Sequence, residues 1–229
     1  MTVVNDYSKL AFTDFVDQTV TTYAAPAIVP IKTTGTKSPV FCIHPIEGLT
    51  SCYANLVEHF DEDRPVYGVQ AVSGRPSSLT ALAARYADEI LAVRPAGPIH
   101  LLGLSFGGVL AHAVAVVLQG RGVTMDGLTL LGSDPLRRTA DAQHELLEKM
   151  GDVIDRSRAE ELLALAAHNE ELARRHFPGV FVGTAVVVSG VESDSGTAWH
   201  PFVSGTVLKY TVPDIDDSAL VGRLVNRAL

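Results

Sequence analysis

Apolar and polar positions follow two rhythms along this chain. Short apolar runs lie at Ile28–Lys32, Val40–His44, Pro65–Gln70, Ile99–Leu102, Leu128–Leu131, Ala185–Val188 and Val207–Val212. Bounded by Gly, Pro, Ser and Asp, such runs predict buried strands. Between them lie stretches with apolar residues three and four apart, the spacing of a helix with one buried face. These are 50–60, a helix opening at Ser78 with Leu79, Leu82, Tyr86, Ile90 and Leu91 inward, Val109–Leu118, and Ser218–Ala228. Ser78 sits where an N-cap belongs. Residues 1–25 are mixed and polar, with one weak helical pattern over 7–23.

Strands that alternate with helices predict right-handed crossovers and a mostly parallel sheet covered on both faces. Ligands of such sheets bind at the carboxyl ends of the strands. One interval breaks the alternation. No strand is predicted between Pro135 and Gly183, only amphipathic helices over Ala142–Ile154 and Arg158–Arg175. They read either as two packed surface helices or as a lid over the site, spanning about 136–182.

Composition narrows the partners. Hydrophobic content is 47% and charged content 19%, ordinary for a globular chain of 229 residues. A net charge of −8 argues against nucleic acid or an anionic membrane as partner. The first residues lack the basic start and apolar run of a secretion signal, and no apolar stretch is as long as a membrane span. The two cysteines, Cys42 and Cys52, have no metal-ligand spacing and no disulfide framework. We read them as buried thiols, which suits a cytoplasmic protein. No metal site is expected.

The chemistry concentrates at Gly103-Leu104-Ser105-Phe106-Gly107-Gly108. An apolar strand enters this Gly-x-Ser-x-Gly run and an apolar helix leaves it. That is the setting of a nucleophile elbow, where a tight turn lifts the serine hydroxyl clear of the sheet. Gly103 and Gly107 flank the serine because side chains there would clash with the neighbouring strand and helix. The Phe106 amide, at the start of the helix, faces where an oxyanion would form. An idle serine on a glycine-rich turn is the alternative.

Four segments carry a family likeness: Ile28-Val29-Pro30-Ile31, Pro39 through Gly48 (with His44-Pro45-Ile46-Glu47-Gly48), Pro65 through Ala71, and Gly103 through Gly108. Together they resemble the thioesterase domains of nonribosomal peptide synthetases and polyketide synthases. The resemblance implies an α/β-hydrolase fold over 28–229, preceded by a lead or linker over 1–27. That lead suits an excised terminal domain; a free-standing editing thioesterase is the other reading. The resemblance also implies the reaction. A carrier protein brings an acyl or peptidyl chain as a thioester on its phosphopantetheine arm. Ser105 takes the chain as an ester, and water or an internal nucleophile releases it. No bound cofactor is implied. The Phe106 and Ile46 amides stand at the oxyanion positions.

Two positions depart from the family pattern. The usual acid follows the strand after the elbow helix, but here the aligned residue is Gly132. Asp134 is a slipped acid or a turn cap. Asp194, with Glu192 behind it, is the second candidate. The usual histidine follows the last strand, where this chain has Asp216, and no histidine follows His200. Asp216 and Asp217 also suit helix capping. An aspartate of ordinary pKa is a poor acceptor for a serine proton. The proton acceptor is therefore Asp216, His200 or a base from the substrate. His44 begins the oxyanion loop, where the family's histidine is structural. Three readings follow: a release domain working through Ser105 with an altered triad, a docking or chain-holding module without turnover, and a cyclising or chain-transferring enzyme.

Overall fold

The computed structural model describes residues 27–136, 156–191, 193 and 195–229. Among these, seven strands form one sheet: β1 (Ile28–Lys32), β2 (Val40–Ile43), β3 (Val66–Val69), β4 (Ile99–Leu104), β5 (Met125–Leu131), β6 (Phe181–Gly190) and β7 (Val203–Val212). Their order is β1-β3-β2-β4-β5-β6-β7. Every pair is parallel except β1 with β3. The helices are α1 (Ala54–Val57), α2 (Leu79–Val93), α3 (Phe106–Gly120), α4 (Arg156–Arg175), α5 (Ser195–Ala198) and α6 (Ser218–Ala228).

Strand alternation sorts the core into two layers. Phe41, Ile43, Leu101, Leu128, Leu130 and Val187 face the layer containing α2 and α3. Val40, Cys42, Leu102, Val186 and Val188 face α1 and α6. Ser78 caps α2, its hydroxyl accepting from the Ala81 amide at 3.1 Å. Asp217 caps α6 by accepting from Leu220. Just before β1, the Ala27 carbonyl takes the Gln70 amide.

Several boundaries differ from the pattern. The helix expected over 50–60 is a 3₁₀ turn at Ser51–Tyr53 followed by α1. β5, β6 and β7 are longer than their apolar runs because their early residues are partly exposed and polar, as at Thr184 and Thr206. β6 therefore starts inside the interval expected to lack strands. Cys42 is buried but Cys52 is exposed, contrary to expectation, because it lies on the outer side of the 3₁₀ turn. The helix expected over 142–154 lies outside the described residues. No described helix is long and apolar enough to cross a membrane.

From β2 the chain steps to β3 on one side, then crosses to β4 on the other. The carboxyl ends of β2 and β4 thus flank the switch point of the sheet, the place where such sheets bind their ligands. Ser105 follows β4 directly.

Candidate active site

Ser105 stands at φ 52° and ψ −118°, the only described non-glycine residue with positive φ. A side-chain-bearing residue pays for that backbone with strain. The turn is held in place around it. Its amide donates to the Leu131 carbonyl at 2.8 Å, and its carbonyl takes the Gly108 amide at 3.0 Å. A Cβ at Gly103 would stand 2.1 Å from the Gly107 carbonyl oxygen. One at Gly107 would stand 2.5 Å from the Ile43 oxygen and 2.7 Å from that of His44. Both glycines are therefore required by close backbone approach, as the motif predicts. The serine itself is exposed.

The loop after β2, where the oxyanion donor Ile46 is expected, lies on the other side of the switch point. Pro45–Gly48 is a turn, with the Gly48 amide on the Pro45 carbonyl at 3.1 Å. The His44 imidazole is fully buried; its Nδ1 lies 2.6 Å from the Pro45 carbonyl and its Nε2 2.6 Å from the Tyr86 hydroxyl. A carbonyl only accepts, so Nδ1 carries the proton and Nε2 accepts from Tyr86. Burial pushes the His44 pKa down to about 4, against a smaller upward pull from the Pro45 carbonyl. The ring is neutral at pH 7 and committed at both nitrogens. It stacks on Phe106 with centroids 6.1 Å apart, which brings the Ser105–Phe106 turn beside the Pro45–Gly48 loop. At the start of α3, the first amides have no intrahelical acceptor and are available to an anion.

Tyr53 joins the two strand ends below the serine. Its buried hydroxyl donates to the Ile43 carbonyl at 2.6 Å and accepts from the Leu104 amide at 2.8 Å. Tyr53 was not singled out from the sequence, and Tyr86 only as an inward apolar position of its helix. The available signal was a tyrosine on an apolar face, whose hydroxyl needs a partner when buried.

The proposed acids and bases are placed as follows. Asp134 is half-buried and accepts from the Leu136 amide at 2.9 Å, the geometry of a turn cap. Asp194 and Glu192 lie outside the described residues. Asp216 is exposed in the loop after β7, where its amide donates to the Asp214 carboxylate at 2.9 Å. That loop returns to the serine's end of the sheet: Ile215 Cγ1 is 3.6 Å from where a Gly132 Cβ would be. The two departures from the family pattern therefore meet on one rim, beside the carbonyl that holds Ser105. His200 is elsewhere. The strand registers make Tyr210 level with Leu104. Val203 lies seven residues earlier on β7, about 23 Å below at the strand rise of ~3.3 Å per residue. His200 precedes Val203 by three residues and recovers at most ~11 Å of that distance. His200 is thus not brought to Ser105.

The remaining buried imidazoles have other work. His100 Nε2 pairs with Thr129 Oγ1 at 2.9 Å, and His112 Nε2 donates to the Phe202 carbonyl at 2.9 Å. Burial lowers the pKa of His100 to about 3 and of His112 to about 4. Among the described residues, no side chain hydrogen-bonds the Ser105 hydroxyl.

A thioesterase domain family model matches residues 38–176, more than half of the chain. The chain belongs to the thioesterase domain family. A malpinin synthetase from Mortierella alpina is 30% identical over 217 residues, which cover 82% of this chain and 3% of that protein. A dimodular nonribosomal peptide synthase from Bacillus subtilis (strain 168) is 41% identical over 117 residues, 49% of this chain and 5% of that one. The thioesterase domain thus spans only a few per cent of the length of these curated relatives. Among solved structures, the NocB thioesterase domain from the nocardicin cluster superposes with a TM-score of 0.74 at 20% identity, covering 89% of this chain and 98% of that one. The surfactin thioesterase domain SrfTE gives 0.71 at 15% identity, covering 88% and 95%. At that identity the two structures speak for the fold, an α/β-hydrolase-like sheet with helices on both faces.

Proposed function

We propose that this thioesterase domain releases or transfers an acyl or peptidyl chain from a phosphopantetheinyl carrier protein, through an ester on Ser105. The observation that carries this reading is an exposed serine on a strained turn at the switch point of the sheet. The hydroxyl attacks the thioester carbonyl, the C–S bond breaks, and the thiol leaves with the serine proton. The Phe106 and Ile46 amides stabilise the tetrahedral oxyanion in between. Water, or a nucleophile on the chain itself, then takes the acyl group from the serine.

Asp134 or Asp194 serves as the acid, and Asp216 or a basic group of the substrate accepts the serine proton. Losing a histidine base typically costs about 10²–10⁴ in rate. The reaction is accordingly slow with water. The altered triad positions, Gly132 and Asp216, also support a second reading: a module that binds a loaded carrier protein without turning over.

Intact-protein mass spectrometry after incubation with an octanoyl-pantetheine thioester tests the choice. The release reading expects one acyl mass on the protein, absent in Ser105→Ala. Carrier-protein binding that survives Ser105→Ala, with no adduct in the wild type, favours the docking module.

A further inference from the structure

The oxyanion loop is gripped from two directions, and only one of them belongs to the sheet. Beneath the loop, His44 holds the Pro45 carbonyl. Above it, Asn169 Nδ2 donates to the Ile46 carbonyl at 2.8 Å. Asn169 is 2% exposed, although it lies on a strongly charged helix, α4. Leu162 and Ala166 of the same helix face pack on Leu49, with Ile46 against them. Leu165 covers Gly48, where a Cβ would stand 2.6 Å from Leu165 Cδ2. One face of α4 is therefore committed to residues 46–49.

We infer that Asn169 is a positioning residue that ties α4 to the oxyanion loop, so that the Ile46 amide is aimed only while this helix is docked. The inference rests on the proposed role of Ser105 and of the Ile46 amide. In a trans peptide the carbonyl and the amide hydrogen point in opposite directions. Holding the Pro45 carbonyl toward His44 turns the Ile46 amide away from the core. Holding the Ile46 carbonyl on Asn169 sets the next peptide plane. The two grips together leave the backbone about Ile46 little freedom. His44 is itself locked by Tyr86, so the grip from the core is permanent. The grip from α4 comes from outside the sheet, on a helix seated by Leu162 and Ala166 on the loop and by Leu172 and Ala173 on the main core, and of the two grips it is the one that can be released. A substrate that displaces or seats α4 thereby switches one oxyanion donor.

Asn169→Asp tests this in the full-length chain, since it keeps the shape and removes the donor. Two measurements are made: acylation of Ser105 by octanoyl-pantetheine thioester, and amide exchange at Gly48 and Ala71. Both of those amides are bonded within this loop, to Pro45 and Gly48. The expected result is a fall of about 10- to 100-fold in maximal acylation rate, with half-saturation within threefold. Exchange at Gly48 and Ala71 rises at least tenfold, while Leu102 and Leu130 in the core keep their protection. Unchanged exchange at the loop overturns the inference whatever the rate does. So does faster exchange throughout the sheet, or a loosened loop with an unchanged rate. If the wild type forms no adduct but the loop loosens selectively, the proposed reaction fails and the tie between α4 and the loop stands. Should Asn169→Asp not fold, Asn169→Ala is read by the same criteria.

Discussion

Acidification from pH 7 to pH 4.5 is expected to unfold this domain, and the buried histidines set the steepness. His44, His100 and His112 have pKa values of about 4, 3 and 4, each pushed down chiefly by burial. An unfolded histidine titrates near ~6.5. Below that pH the unfolded chain binds protons that the folded chain refuses. Stability is therefore highest above pH ~6.5 and falls as pH falls, until the folded-state pKa values are reached. One such group contributes up to ~1.4 kcal/mol per pH unit, so three give a slope near ~4 kcal/mol per unit. Over the ~2 units from pH ~6.5 to 4.5 that is up to ~8 kcal/mol, comparable to the whole stability of a typical domain, ~5–15 kcal/mol. Carboxylates held low by surface ion pairs, such as Glu171 beside Arg174, add to this loss only near the bottom of the window, where unfolded carboxyls begin to take up protons below pH ~5. Urea melts followed by circular dichroism at half-unit pH steps measure the slope. His112→Gln keeps a donor for the Phe202 carbonyl and should reduce it by about one proton. A slope below one proton between pH 6 and 5 would show that the three imidazoles do not stay neutral in the folded protein, and would refute the reasoning.

Two further outcomes follow from the site. Ser105→Gly removes the side chain that makes φ 52° unfavourable, which is worth ~1–3 kcal/mol of strain. The variant should melt ~2–12 °C higher than the wild type and form no acyl adduct, and an unchanged melting temperature would deny the strain. Tyr86→Phe leaves the buried His44 Nε2 without its donor. A loss of ~1–3 kcal/mol in urea unfolding is expected, and a neutral result would mean that this hydrogen bond does not brace the oxyanion loop.

Local sequence carried the parts of this molecule whose physics is local. Apolar runs and helix-spaced apolar faces located the strands and most helices, since burial on a sheet or a helix stripe imposes its own period. Gly103-Leu104-Ser105-Phe106-Gly107 stated its turn outright, because only glycine tolerates backbone oxygens 2.1 Å and 2.5 Å from a Cβ position. The strand bounds were less legible. Seven of the ten residues of β7 are exposed, so its pairing with β6, rather than hydrophobicity, makes it a strand. The partners of the serine were not legible at all. Whether His200 or the Asp216 loop reaches the rim is a matter of register, crossing direction and loop return, none of which has a local signature. The same holds for Asn169: a polar residue on a charged helix gives no sign that another loop's carbonyl will bury it. The sequence by itself determined the sheet, the elbow and the residue types available to it. Only the packing of distant segments decided which of those residues meet, because such contacts depend on the whole sheet's geometry and not on any residue's neighbours in the chain.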